Sequence, residues 1–148
     1  MDRPKAPLAV LIVEDEALLA MDVEMMVEDA GHTVIGEATC MSEVEGLDPV
    51  RAPDIAFVDM QLADNSTGLE VCAYIQKRWT KTIIIFVTAN PKKIPDDFAG
   101  AHGVIPKPFS RHGFMNALFY LQESVCRPPP NSALPGSFFA SSHLAATW

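Results

Sequence analysis

Two hydrophobic rhythms alternate along the chain. Leu8 to Val13 is an unbroken aliphatic run of strand length that stops at Glu14-Asp15-Glu16, and a run without polar interruption predicts a strand buried on both faces. Leu19, Val23, Met26, Val27 and Ala30 then recur at helical spacing, with Gly31 to end that helix. His32 to Ala38 reads as a second strand, Ser42 to Val50 as a short helix opened by a serine with Glu45 three residues on, and Ile55 to Met60 as a third strand. Gly68 to Trp79 carries the next periodic face through Leu69, Cys72, Ala73 and Ile75. Thr82 to Val87 is the most β-branched run in the chain and predicts a central strand. A short strand at Gly103 to Ile105 follows, then a helix from Ser110 to Cys126 with Phe114, Leu118, Leu121 and Val125 on one side.

Strand and helix thus alternate five times, through connections too short for antiparallel hairpins. Right-handed crossovers then predict an α/β fold, a doubly wound five-stranded parallel sheet covered by helices on both faces. Pro91 and Pro95 interrupt the stretch before the last strand, so the fourth helix is predicted to be short, irregular or missing. Pro106 cannot donate to a ladder, which places strand five at a sheet edge. Residues 1–7 read as an N-terminal tail, 8–126 as the domain, and the Pro/Ser-rich residues 127–148 as a flexible C-terminal tail, with Phe138, Phe139 and Trp148 as its apolar spots.

Composition narrows the class. A chain of 148 residues, 49% apolar and 20% charged, has the make-up of one globular domain and not of a disordered or fibrous chain. The apolar runs are far shorter than the roughly 18 residues a membrane span needs, and the first of them ends too soon for a secretory signal, so a cytoplasmic protein is expected. Cys40, Cys72 and Cys126 are odd in number and form no CxxC pair, which suits idle thiols. The net charge of -8 argues against a general nucleic-acid binder. The 22 residues after Cys126 are also too few for a helix-turn-helix, so direct DNA binding is not expected. Residues 8–70 hold 15 acids and one base, whereas 71–126 hold 3 acids and 7 bases, and some of the acids in the first half read as holders of a cation.

In an open parallel sheet, ligands bind outside the carboxyl ends of the strands. Strand one ends at Glu14-Asp15, strand three at Asp59, strand four at Thr88 and strand five at Lys107. Singly, each has an ordinary explanation: acids favour a helix's first turn, Asp59 could open a turn, Thr88 could be plain strand and Lys107 plain surface. Their coincidence at matching strand ends is what points to one site. Carboxylates crowded there repel each other unless a dication is present, and magnesium takes oxygen ligands of this type together with phosphate oxygens.

The segments LIVEDE, DIAFVDMQL, IIIFVTA and IPKPF, spread over residues 8–125, resemble the receiver domain of two-component response regulators. The resemblance implies the flavodoxin-like strand order 2-1-3-4-5 and a phosphoryl group accepted by Asp59 from a phosphohistidine. It makes Glu14, Asp15, Asp59 and the backbone carbonyl of Gln61 the ligands of Mg2+, and Thr88 and Lys107 the groups that bind the phosphoryl oxygens. A cis Lys107-Pro108 bond is implied as well. The partners it implies are a sensor histidine kinase or histidine phosphotransfer protein and a downstream protein target. The chain would take part in its own phosphorylation and dephosphorylation without being an enzyme for a separate substrate.

Two positions depart from the common pattern. Val104 stands where an aromatic residue is usual, and Thr88 and Lys107 are only 19 residues apart, as in a subgroup with FVTA and KPF motifs from alphaproteobacterial pathways. The response is therefore expected to run through Thr88 and residues 90–101, not through a rotating aromatic at position 104. A haloacid-dehalogenase-type phosphatase would need a second acid two residues after the nucleophile, where this chain has Gln61. The remaining alternative is a pseudo-receiver, folded alike but acting as a phosphorylation-independent interaction module; intact Glu14, Asp15, Asp59, Thr88 and Lys107 argue against it.

Overall fold

The computed structural model describes residues 6–148; the predicted tail, 1–7, lies outside them apart from Ala6 and Pro7. Three strands, β1 (Ala9–Val13), β3 (Ile55–Asp59) and β4 (Ile83–Thr88), are buried along their whole length, which their uninterrupted apolar sequences require. β2 (Thr33–Ala38) is more exposed and lies at one margin of the sheet. β5 (Gly103–Pro106) lies beyond β4. These five strands are parallel, in the order 2-1-3-4-5.

Alternation along each strand sorts the core into two layers. Val10, Ile12, Phe57, Ile85 and Ile105 pack on one face against α1 (Ala17–Asp29) and α4 (Arg111–Cys126), through Val23, Val27, Phe114 and Leu118. Leu11, Val13, Val58, Ile84 and Phe86 face the other way, against α2 (Met41–Glu45) and α3 (Gly68–Arg78), through Val44, Val71 and Ile75. At about 1.5–3 kcal/mol for each fully buried large aliphatic or aromatic side chain, these layers hold the sheet.

The structure departs from the sequence reading in three places. The sheet has six strands, because β6 (Phe139–Ala140) pairs antiparallel with β5, so β5 is not the edge. The C-terminal residues do not all lie outside the core: Phe138 and Leu144 are each only 1% exposed and join the layer under α4, and a short α5 (Ser142–Ala145) follows β6. An aromatic and a leucine isolated among serines and prolines give no periodic signal, which is why they escape a periodicity reading. Third, α2 begins two residues earlier than its serine suggests: its N-cap is Cys40, and the Glu43 carboxylate accepts hydrogen bonds from the backbone N–H and hydroxyl of Thr39. The capping box is instead at α3, between Thr67 and Glu70. Between β4 and β5 there is no α-helix; two 3₁₀ turns, Pro91–Lys93 and Phe98–Gly100, take its place. Among the described residues, no helix is long and apolar enough to cross a membrane.

Two histidines start strands as neutral acceptors. His32 Nδ1 accepts the N–H of Leu8 just before β1, and His102 Nδ1 accepts the N–H of Ile84 in β4. Burial lowers the pKa of both, and the nearby His143 helps to lower that of His102 to about 4. The folded protein therefore holds His102 neutral while the unfolded chain takes up a proton from about pH 6.5 downward. Its contribution is complete above that value and is lost as pH falls toward 4, a destabilisation on the order of 3 kcal/mol in all and about 2 kcal/mol by pH 5. Urea unfolding followed between pH 7.5 and 5 should show the parent losing stability with acid relative to His102→Gln, which keeps an acceptor but no titrating ring.

Candidate functional site

The carboxyl ends of β1, β3 and β5 bring their polar residues to one point. Glu14 follows β1 directly and is held in line by its N–H, which donates to Ala38 O at the end of β2. Asp59 is the last residue of β3 and pairs in register with Val87 of β4. Lys107 follows β5, its N–H donating to Thr88 O at 2.8 Å, and the Lys107-Pro108 bond is cis. From there the ammonium reaches back across the sheet end, with Nζ 2.9 Å from Glu14 Oε1 and 3.2 Å from Asp59 Oδ2.

Asp15 completes the acidic group. An oxygen from each of Glu14, Asp15 and Asp59 lies within 4.8 Å of the other two. Glu14 and Asp59 are buried and Asp15 is exposed, so the cluster opens to solvent on the Asp15 side. Burial is the main reason the Glu14 carboxyl is pushed up to about 7; hydrogen bonds from Lys107 and the Glu16 N–H work against this, and the neighbouring Asp59 adds to it. Burial likewise works against the charge on Lys107, but the hydrogen bonds and negative charges of Glu14 and Asp59 outweigh it and hold the ammonium's pKa above its usual value. A single cation thus faces three carboxylates, and the group retains excess negative charge. Hard oxygen donors in that excess are the donor set a divalent cation such as Mg2+ takes, so the residues fit the implied metal.

Thr88 closes β4 beside the group, buried, with its Oγ accepting the Asn90 N–H at 3.0 Å. Its hydroxyl is thereby tied to the first residues of the 90–101 segment. Gln61 lies two residues beyond Asp59, in an exposed turn that bridges to Thr67. Asp64 and Asn65 turn the chain back with left-handed φ of 58° and 57°. α3 then presses its first residue onto the end of β3, where a Cβ on Gly68 would come within 2.4 Å of Asp59 O and 2.9 Å of Met60 Cα. Only glycine allows this approach.

A cleft of about 610 Å³ adjoins Lys107, lined by Leu19, Asp22, Met25, Met26, Phe109 and Arg111 among others. Sequence reasoning assigned the apolar positions of α1 to the core and missed this rim. The signal was present: Met25, which lines the cleft, and Leu18 and Met21 on the same helix fall between the core positions of α1, and they are 55%, 79% and 54% exposed.

Residues 10–119 match the family model of the response regulator receiver domain. The phyllosphere-induced regulator PhyR of Methylorubrum extorquens is 35% identical over 129 residues, which cover 83% of this chain and 48% of that protein. The transcriptional regulatory protein PdtaR of Mycobacterium tuberculosis is 29% identical over 106 residues, 70% of this chain and 51% of its own. The chain thus spans about half the length of these curated relatives. Among solved structures, the receiver domain of Erythrobacter litoralis PhyR superposes with a TM-score of 0.69 at 26% identity, covering 86% of this chain and 96% of that one. The anti-anti-sigma factor PhyR from Bartonella quintana gives a TM-score of 0.61 at 32% identity, covering 81% and 51%.

The close approach of Gly68 to Asp59 sets an expected outcome. Gly68→Ala should cost roughly 1–3 kcal/mol, the usual penalty of overpacking, because a backbone and not a flexible side chain must yield. Urea unfolding measures it; a variant as stable as the parent would mean that α3 does not pin the end of β3.

Proposed function

Because the chain belongs to the response regulator receiver domain family, we propose that it accepts a phosphoryl group on Asp59 from a phosphohistidine of a partner protein and signals or relays through protein contacts. The observation that carries this reading is the Lys107 ammonium held between Glu14 and Asp59, with Asp15 close by. An Asp59 oxygen forms a bond to phosphorus as the donor's phosphorus–nitrogen bond breaks, leaving an acyl phosphate on this chain and a free imidazole on the partner. Glu14, Asp15 and Asp59, with the carbonyl of Gln61, would hold Mg2+, which when bound offsets the negative charge of the phosphoryl oxygens.

The chain's own residues supply the rest. Lys107, already in place, provides a fixed positive charge beside the acceptor and needs no reorganisation. The Thr88 hydroxyl can donate to a phosphoryl oxygen while still accepting from Asn90, so the new charge of about -1.5 to -2 acts directly on the 90–101 segment. The acceptor belongs to the chain itself, so this is a phosphorylated signalling protein and not an enzyme acting on a separate substrate. The exposed apolar residues of α1 beside the cleft are a suitable landing surface for the phosphodonor. A relative described as an anti-anti-sigma factor favours output through protein binding.

Incubation with acetyl phosphate and Mg2+ should add one phosphoryl group to the intact mass, and the gain should vanish in Asp59→Asn and in excess EDTA. No gain in mass would favour the phosphorylation-independent module, and labelling that persists in EDTA, or in the Asp59 variant, would overturn Mg2+-dependent transfer to Asp59. Asp15→Asn should weaken Mg2+ binding more than Glu14→Gln, as read by isothermal titration, because both Glu14 oxygens are already engaged, by Lys107 and by the Glu16 N–H.

A further inference from the structure

The C-terminal segment holds β5 in the way a bound peptide holds a sheet edge. Its ladder is only two residues long, Gly103 with Ala140 and Val104 with Phe139. The anchor is Phe138, 1% exposed, with its ring centroid 6.0 Å from that of Tyr120. The slot exists because residue 103 has no side chain: a Cβ there would come within 2.4 Å of the Phe138 ring and 2.8 Å of Phe139 O. Ser137 adds a hydrogen bond from its hydroxyl to Gly113 O at 2.7 Å. A short ladder for affinity and one pocket for an aromatic side chain are the two parts of strand-addition recognition.

The same segment clamps the turn that precedes β5. Ser141 donates from Oγ to Ala101 O at 2.6 Å and from its N–H to His102 O at 3.0 Å, and His143 Nε2 lies 3.0 Å from Asp97 O. That turn is strained. Phe98, Ala99 and Gly100 are consecutive left-handed residues, with φ of 57°, 51° and 86°, and the first two carry side chains, at a cost of roughly 1–2 kcal/mol each. Such backbone persists only where its surroundings over-determine it. Gln76 of α3 holds it from one side, donating to Ala99 O at 3.0 Å, and Ser141 and His143 hold it from the other.

We propose that residues 137–144 are a built-in ligand of a strand-addition slot on β5, displaceable by a partner's extended segment carrying an aromatic residue at the Phe138 position, and that occupancy of the slot holds the strained 97–101 turn. The slot is coupled through that turn to the backbone that begins at Thr88 and Asn90, and it stands whether or not Asp59 is phosphorylated.

The test uses the full chain and a fluorescein-labelled peptide with the sequence of residues 134–144. Phe138→Ala opens the slot, so polarisation should show the peptide binding at least tenfold more tightly to this variant than to the parent. Adding Gly103→Ala should abolish that binding by filling the slot. Amide exchange at residues 97–102 should be faster in Phe138→Ala and return toward the parent rate when the peptide is saturating. Equal peptide affinity for parent and variant, no binding to the variant, or exchange that ignores the peptide would each overturn the proposal. If circular dichroism shows Phe138→Ala to be unfolded, the double variant Ser141→Ala, His143→Ala spares the core; its exchange at 97–102 should rise about tenfold, and unchanged exchange would overturn the proposal by itself.

Discussion

Three carboxylates at the ends of neighbouring strands repel one another, and the site depends on how that repulsion is contained. Within the folded chain the containing charge is Lys107, which reaches Glu14 and Asp59 across the end of the sheet. One ammonium cannot balance three acids, so the group keeps an appetite for further positive charge. That excess makes an electrostatic liability a cluster that could hold a cation.

The rest of the fold exists to keep those charges from moving apart. Side-chain alternation gives the sheet an apolar layer on each face, so the strand ends are fixed from both sides and cannot splay to relieve the repulsion. Local contacts refine the placement. Ala38 O receives the Glu14 N–H, Thr88 O receives the Lys107 N–H, and Gly68 lets α3 touch the backbone of Asp59. Each is a main-chain contact, and main-chain contacts set the position of a side chain's root before the side chain chooses a rotamer.

The stretch between β4 and β5 is built differently from the regular elements around it. Where prolines exclude a helix between β4 and β5, the chain forms two 3₁₀ turns and a run of left-handed residues. This segment starts at the Thr88 hydroxyl and ends under Ser141 and His143. A charge change at one end and a peptide-like segment at the other would therefore bear on the same few residues.

Much of this was legible without coordinates. The uninterrupted runs ending in Glu14-Asp15, Asp59 and Thr88 determined a parallel sheet and put the acids at its carboxyl end, because side-chain period and helix spacing are local properties that sequence states directly. The absence of a regular helix at 91–101 followed from Pro91 and Pro95 for the same reason. Other features belong to tertiary structure alone. That Lys107 meets Glu14, 93 residues away, that Gly68 and Gly103 are small because a backbone and an aromatic ring lie against them, and that the sixth strand is made by Phe139 and Ala140 all depend on which surfaces meet once the chain has closed. Phe138 shows the difference most clearly: among serines and prolines it has no periodic neighbours to announce a core position. Its burial is decided by a slot that Gly103 opens from another part of the chain, and a contact between distant residues leaves no local pattern in the sequence.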